Sequence, residues 1–140
     1  MARISEALRK RVVRFANNRC EYCLTSQEMT LATFHVDHII PKSLNGSTFI
    51  GNLCLSCPFC NQFKKNQVRA RDPITGKTVA LFNPRSEEWH EHFVWNKDGT
   101  LVLGRTAIGR ATITALRMNH PIALIARRYW VSSGIHPPEN

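Results

Sequence analysis

The stretch HVDHIIPKS, residues 35–43, places two histidines and an aspartate inside an apolar run. A buried strand ordinarily excludes such side chains unless they are hydrogen-bonded or functional. Pro41 ends the run as a strand, because proline lacks the amide hydrogen that a β-ladder needs. The residues on either side of this stretch indicate whether the polar cluster is tolerated or functional.

Two Cys-x-x-Cys pairs flank the stretch, Cys20 with Cys23 and Cys57 with Cys60. The two-residue spacing lets one turn offer two sulfurs to a tetrahedral zinc ion. We therefore predict a structural Zn²⁺ held by all four thiolates, which would also stabilise a core of limited size. The alternative is four buried or redox-active cysteines. Cys54 lies between two leucines and is expected to be a small buried side chain.

The apolar pattern predicts an α+β fold. In the first half we expect an amphipathic helix over residues 5–18, a strand over 31–39, a return strand over 52–55, and a polar helix from Cys57 to near Arg71. In the second half we expect a strand over 89–95 that turns at Asp98-Gly99 into a strand over 100–103, followed by helices over 107–118 and 121–130. Trp89, Phe93 and Trp95 would share one face of the first of these strands, with His90 and His92 opposite as a weak candidate metal pair.

No segment is rich enough in Gly, Ser or Pro to separate independent domains. We therefore predict a single domain over residues 1–140, with a core at 19–71 and accessory elements at 72–140. Gly76-Lys77-Thr78 is not a phosphate loop, because Arg71 stands where that motif requires glycine.

The charge predicts a polyanionic partner. The formal net charge is +9 and the pI is near 9.9, which favours nucleic acid or an anionic membrane surface. A basic protein without such a partner is the plainer alternative. Four arginines in the last third either extend this charge or lie on solvated helix faces: Arg110, Arg117, Arg127 and Arg128. No apolar run approaches the roughly 20 residues that span a bilayer, and the N-terminus has no apolar signal core. We expect a cytoplasmic protein without membrane association, where cysteines more often bind metal than form disulfides.

The order of the motifs resembles the HNH endonuclease motif in its zinc-knuckle form. The matching segments are Cys20-x2-Cys23, Val36-Asp37-His38-Ile39-Ile40-Pro41, Asn52-Leu53 and Cys57-x2-Cys60-Asn61-x2-Lys64. The resemblance covers residues 19–66 and implies a ββα-metal (His-Me finger) core, in which two antiparallel strands and a helix surround one catalytic divalent ion. Residues 80–136 are more loosely similar to the tail of small bacterial HNH proteins, and this similarity assigns no roles.

The resemblance also implies catalytic roles. His38 would be the general base, which suits an imidazole because its pKa lies near neutrality. Asp37 and Asn61 would bind the catalytic ion, and their oxygen ligands favour Mg²⁺ or Mn²⁺ over zinc. Asn52 would clamp the loop and keep His38 oriented. The sequence departs from colicin-type members, which carry histidines where Asn61 and Lys65 stand here.

Four further residues are candidates for supporting roles. Three lysines are near enough in sequence to contact phosphates, although each is equally compatible with an ordinary surface position: Lys42, Lys64 and Lys65. His35 lies two residues before Asp37, on the same strand face, and could assist the ligands or add one.

Because neighbouring strand residues point to opposite faces, Asp37 and His38 can serve one site only if the strand bends or ends there.

The leading hypothesis is a metal-dependent DNA endonuclease that leaves 5′-phosphate and 3′-hydroxyl ends, as the resemblance implies. Duplex, branched and single-stranded DNA remain open as substrates, and so do the monomer and the homodimer as assemblies. The alternative is a non-catalytic zinc-stabilised DNA-binding module, which shares the charge and the cysteines but has no use for an aspartate beside the histidine. A toxin or mobile-element nuclease would share the chemistry and differ only in biological setting.

Overall fold

The computed structural model describes residues 4–139, which form two compact units. The N-terminal unit contains the residues up to Val68 together with Asn83–Glu87, and the C-terminal unit contains Arg69–Phe82 and the residues from Glu88 onward. The predicted boundary near residue 71 lies close to this division, and the assignment to one domain stays a prediction. Within the described residues, no helix is both long and apolar enough to cross a bilayer.

The first helix, α1, spans Glu6–Phe15 and confirms the helix predicted there. Ser5 caps it, because its hydroxyl accepts a hydrogen bond of 3.1 Å from the amide of Leu8. The helix ends before Asn17 and Asn18, which take left-handed φ angles of 52° and 58°. Asparagine tolerates this conformation better than most residues, so the two asparagines stop the helix.

Two antiparallel strands follow, β1 at His35–His38 and β2 at Leu53–Ser56. The pairing sets His38 opposite Leu53, and every residue of β2 is buried. The predicted first strand is too long at its start, because the chain before β1 is a bend in which Leu31 is fully exposed. An apolar residue at that position therefore does not signal a strand. The return strand is confirmed.

The second helix, α2, spans Pro58–Lys64. Proline suits its first turn, where the missing N–H needs no partner, and the Cys57 sulfur accepts a bond of 3.3 Å from the amide of Cys60. The helix ends at Lys65, whose φ of 52° is left-handed. The expectation that this helix continues to near Arg71 is wrong.

The residues after α2 form a hairpin of β3, Arg69–Arg71, and β4, Thr78–Ala80, in the C-terminal unit. Asp72 is fully buried at its turn, where its carboxylate accepts bonds from two backbone amides and two bonds of 2.9 Å from Arg110. The Arg110 guanidinium holds the pKa of this carboxyl well below its usual range. Arg110 is therefore paired within the fold.

The predicted strand over 89–95 is wrong in its first half. Residues Trp89–His92 form a one-turn helix, α3, and only Phe93–Trp95 form a strand, β5, which pairs with β6 at Val102–Gly104. Trp89 and Phe93 are both buried, with ring centroids 5.1 Å apart. A spacing of four residues places two side chains on one side of either a helix or a strand, so the pattern does not discriminate between them. The hairpin and the aromatic packing are confirmed.

The last two helices are confirmed with small shifts, α4 at Ala107–Leu116 and α5 at Pro121–Ser132. Arg127 of α5 is only 2% exposed, and its guanidinium donates a bond of 2.9 Å to the carbonyl of Thr100. The expectation that Arg127 contributes to an exposed basic surface is therefore wrong, since it stabilises the interior of the C-terminal unit.

Candidate active site and metal centre

Four cysteine sulfurs converge in the N-terminal unit. Cys20, Cys23, Cys57 and Cys60 are all buried, form no disulfide, and have ligand atoms within 4.8 Å of one another. The sulfurs of Cys23 and Cys57 lie 3.8 Å apart. Zinc–sulfur bonds of about 2.3 Å in a tetrahedron place neighbouring sulfurs about 3.8 Å apart. The cluster therefore fits the structural zinc site that the sequence predicts.

The local chain explains why each cysteine pair presents two sulfurs to one point. The first pair lies in a tight turn that is closed just after Cys23, where Leu24 takes a left-handed φ of 64° and the carbonyl of Thr25 accepts a bond of 2.9 Å from the amide of Cys20. The second pair occupies the N-terminus of α2, with Cys57 at the cap and Cys60 in the first turn. Both arrangements direct two side chains inward.

The electrostatics of the cluster suit a bound cation. Burial raises the pKa of the Cys20 thiol well above its usual range. Four thiolates at this depth would repel one another, and a divalent cation offsets that repulsion. Within residues 4–139, no second group of three or more His, Cys, Asp or Glu side chains converges in this way.

A buried ion pair joins β1 to α2. The side chain of Lys64 is 2% exposed, and its Nζ lies 3.1 Å from Oδ2 of Asp37. The same ammonium donates a bond of 3.4 Å to the carbonyl of His38. Oδ2 of Asp37 is itself buried and has no hydrogen-bond partner in the described part of the chain, so the contact with Lys64 is an ion pair without hydrogen-bond alignment. Lys64 is therefore not a surface residue.

Asn61 lies on the same face of α2 as Lys64, because the two are three residues apart. Its side chain is half-buried, and its amide makes no hydrogen bond to any residue between 4 and 139. Asp37 and Asn61 thus offer a carboxylate and an amide oxygen, which are ligands that hard divalent cations prefer.

His38 is the last residue of β1, and both His38 and Asp37 still pair with β2, opposite Leu53 and Cys54. Its Nε2 lies 2.8 Å from the hydroxyl oxygen of Thr48. Burial lowers the pKa of His38 below its ordinary value, and the Lys42 ammonium lowers it further, while the Asp37 carboxylate acts in the opposite direction. The imidazole is therefore biased towards its neutral form.

Asn52 fastens the loop between the two strands. It is only 7% exposed, and its side-chain oxygen accepts a bond of 2.9 Å from the amide of Ile40. Its nitrogen donates to the carbonyls of Ile40 and Ser47, at 3.0 Å and 2.9 Å. The loop closes tightly, since a Cβ on Gly46 would lie 1.6 Å from the carbonyl oxygen of Ile40. These contacts are those of a residue that clamps the loop.

The remaining sequence candidates are more peripheral. Lys42 and Lys65 are exposed, and so is His35, whose imidazole makes no hydrogen bond within residues 4–139. In the C-terminal unit, His90 is exposed whereas His92 is buried with its Nδ1 2.7 Å from the hydroxyl of Thr106. Within residues 4–139, no third His, Cys, Asp or Glu side chain joins His90 and His92 in a group of metal ligands.

One supporting contact was not anticipated from the sequence. Glu21, between the first two cysteines, accepts a bond of 2.9 Å from the amide of Leu55 and one of 2.7 Å from Arg85. The guanidinium of Arg85 also lies 4.1 Å from the ring centroid of Phe15. The two ends of the ion pair are 64 residues apart, so no local pattern signals it. It attaches Asn83–Glu87 to the N-terminal unit.

Comparison with known proteins gives one match. Residues 20–67 match the family model described as HNH endonuclease. This segment contains both cysteine pairs, the two strands and α2, and it confirms the resemblance seen in the sequence. No curated protein and no solved structure matches the chain.

Proposed function

From the HNH endonuclease match over residues 20–67, we propose that the protein hydrolyses phosphodiester bonds of DNA with the aid of a divalent ion. Its core is then a ββα-metal unit formed by β1, β2 and α2, and the four-cysteine zinc site stabilises that unit. His38 is the general base, Asp37 and Asn61 bind the catalytic ion, and Asn52 fixes the loop between the strands.

The observation that carries the proposal is the placement of His38 at the end of β1, directly after a carboxylate held against α2. The ion pair of Asp37 with Lys64 ties this strand end to the helix face that also carries Asn61. In the proposal, the base and the two oxygen ligands lie around this strand end. A module that only binds DNA needs none of these three groups.

His38 removes a proton from the attacking water in this proposal. An imidazole does so efficiently when its pKa lies near or below the working pH, because it is then in the basic form. The lowered pKa of His38 meets this condition.

The catalytic ion is Mg²⁺ or Mn²⁺ in this proposal. When bound, such an ion neutralises charge that develops on the phosphate. Oδ2 of Asp37 is buried and, apart from its ion pair with Lys64, has no hydrogen-bond partner in the described part of the chain, so a carboxylate oxygen is available to an ion that displaces the ammonium. Zinc suits this pair of oxygen ligands less well than it suits the thiolate cluster.

DNA is the proposed partner because the family acts on it and because the chain carries a net charge of +9. Exposed Lys42 and Lys65 are the proposed phosphate contacts near the site. Binding that depends on phosphate contacts weakens steeply as salt rises, because bound counterions are released.

A plasmid-nicking assay with Mg²⁺ and Mn²⁺ tests the proposal, using the wild type, His38→Ala and the exposed-histidine control His90→Ala. We expect nicking by the wild type and the control, and a rate at least about 100-fold lower for His38→Ala. Salt-sensitive DNA binding without nicking under any divalent ion would instead identify a zinc-stabilised binding module. Equal nicking by His38→Ala would remove His38 as the base.

A further inference from the structure

We propose that Thr48 is a positioning residue for His38, whose hydroxyl accepts the Nε2 proton of the imidazole and so leaves Nδ1 free to take a proton from water. This inference rests on the proposed function, because it names the ring nitrogen through which that function operates. It assigns a role to a residue outside the ligand set and outside the clamp made by Asn52.

The observation is a single short contact. Nε2 of His38 lies 2.8 Å from Oγ1 of Thr48, which is a good hydrogen-bond distance for these two atoms. Among residues 4–139 it is the only hydrogen bond made by the His38 ring. Both side chains are half-buried. One ring nitrogen is therefore engaged by the protein, and the other remains available.

The direction of the hydrogen bond follows from the chemistry of a neutral imidazole. Such a ring carries one proton, so one nitrogen donates and the other accepts. If Thr48 donated to Nε2, the ring proton would lie on Nδ1, and neither nitrogen could remove a proton from water. If His38 is a base, the proton must lie on Nε2 and Thr48 must accept it. The contact thereby fixes both the tautomer and the orientation of the ring.

The loop holds Thr48 in place through the residue before it. The carbonyl of Ser47 accepts a bond of 2.9 Å from the side chain of Asn52, and the same side chain makes two bonds to the backbone of Ile40. These bonds join both ends of the loop to a buried residue beside β2. Thr48 follows directly, so its hydroxyl is presented to His38 from a fixed backbone. Asn52 therefore acts on His38 through Thr48, although the side chains of Asn52 and His38 share no hydrogen bond.

Two substitutions separate the hydroxyl from the rest of the side chain. Thr48→Val keeps the shape and removes the hydroxyl, whereas Thr48→Ser keeps the hydroxyl. With zinc-loaded protein, DNA and Mn²⁺, we expect Thr48→Val to lower kcat by about tenfold, the effect of losing about 1.4 kcal/mol of orientation. The KM for DNA should change by less than about twofold, and Thr48→Ser should restore kcat. Ser43→Ala, an exposed hydroxyl in the same loop, is the control and should match the wild type.

A spectroscopic measurement reports on the tautomer without any catalysis. Nitrogen-15 NMR of the ring, at a pH where His38 is neutral, should show the proton on Nε2 in the wild type and in Thr48→Ser. Thr48→Val should show a mixture of the two tautomers. A wild-type proton on Nδ1, or a Thr48→Val protein with unchanged tautomer and unchanged kcat, would overturn the inference. Neither result depends on the nicking test of His38→Ala, so a failure here is distinct from a failure of the proposed function.

Discussion

The N-terminal unit contains two polar clusters that differ in how far they are closed. The four cysteines are all buried around one point, with their sulfurs within 4.8 Å of one another. The second cluster is the one proposed around Asp37 and His38, which offer a carboxylate and an imidazole, with the Asn61 amide on α2, and these three side chains are only half-buried. A closed set of identical ligands suits an ion that never leaves, whereas an open, mixed set leaves room for substrate and water. The closed cluster fits a structural metal site, and the open one is where the proposed chemistry would take place.

The two clusters also differ in how their charge is balanced. The four cysteine sulfurs have no cation from the chain among the described contacts, so as thiolates they would need an ion from solution to balance their charge. The carboxylate of Asp37 has a cation from the chain itself, the ammonium of Lys64 at 3.1 Å. Folding should therefore depend on zinc at the first cluster and need no added ion at the second.

Removing a zinc ligand should have the largest effect and is the strongest test of this contrast. We expect Cys60→Ala to lose bound zinc and to unfold the N-terminal unit, because a structural zinc ion contributes about 10 kcal/mol or more, comparable with the whole stability of a small domain. Cys54→Ala is the matched control, since Cys54 is equally buried but lies outside the cluster. Metal analysis and thermal unfolding measure both.

The control should keep one zinc ion and lose only about 1 kcal/mol, the cost of a small cavity. A strong chelator should reproduce the effect of Cys60→Ala in the wild type. Undiminished thermal stability in a demonstrably metal-free wild type would contradict the structural role of zinc.

Removing the internal cation should have the next largest effect. Lys64→Met leaves the buried Oδ2 atom of Asp37 without its partner, which should lower the free energy of unfolding by about 3 kcal/mol. The same change should raise the affinity for Mn²⁺ by about tenfold or more, because a nearby positive charge no longer competes with the ion. Denaturant unfolding measures the first effect and electron paramagnetic resonance of Mn²⁺ the second.

Lys65→Met is the control for this pair, since Lys65 is the next residue, is exposed and makes no ion pair within the described residues. It should change neither quantity. The double variant Asp37→Asn with Lys64→Met should recover most of the lost stability, because no buried charge is left unpaired. Unchanged stability and unchanged Mn²⁺ binding in Lys64→Met would show that the ion pair does not distinguish the two clusters.

The contrast between the two clusters explains what the sequence could predict. The cysteine pairs depend on local spacing, so Cys20, Cys23, Cys57 and Cys60 could be grouped without knowing the fold. The strand pair and the N-terminus of α2 also follow from local signals, namely an Asn-Gly turn and a proline after the capping cysteine. The match to the HNH endonuclease family model covers the same segment and confirms the resemblance seen in its motifs.

The open cluster depends on contacts that no local pattern encodes. Lys64 meets Asp37 across 27 residues of chain, and Arg85 meets Glu21 across 64. A lysine on a short polar helix is expected to be solvent-exposed, because burial of a lysine is rare unless it is paired. The end of α2 at Lys65 was missed for a related reason, since its left-handed φ breaks a helix that the polar residues would allow to continue.

Loosening the loop clamp should have a smaller effect than removing the cation. Asn52→Ala deletes three hydrogen bonds to the backbone of Ile40 and Ser47, two of them to carbonyl oxygens. We expect the free energy of unfolding to fall by about 2 kcal/mol, because the affected groups can partly recover bonds with water. Chemical denaturation measures it, with Asn45→Ala, an exposed asparagine of the same loop, as the control.

The zinc content of Asn52→Ala should stay at the wild-type value, since the cysteine cluster does not use this side chain. Loss of zinc in this variant would mean that the two clusters are not separable. Wild-type stability would mean that the clamp contributes nothing to folding.

The smallest predicted effect is a shift in the titration of His38. Burial and the Lys42 ammonium lower its pKa below 6.5, so the folded protein binds a proton less readily than the unfolded chain. Above pH 6.5 the imidazole is neutral in both the folded and the unfolded state, so it does not change the free energy of unfolding. As the pH drops from 6.5 to the lowered pKa, the free energy of unfolding should fall, because the unfolded state then binds more protons. NMR titration of the zinc-loaded protein should give a pKa below 6.5 in the wild type. Lys42→Met should move it upward in part, leaving the effects of burial and of the Lys64 ammonium, whereas Lys65→Met should not move it, since that charge is not among the causes of the shift. A wild-type pKa at or above 6.5 would show that the imidazole is more solvated than the structure indicates. His38 would then lack the bias towards its neutral form that a general base needs.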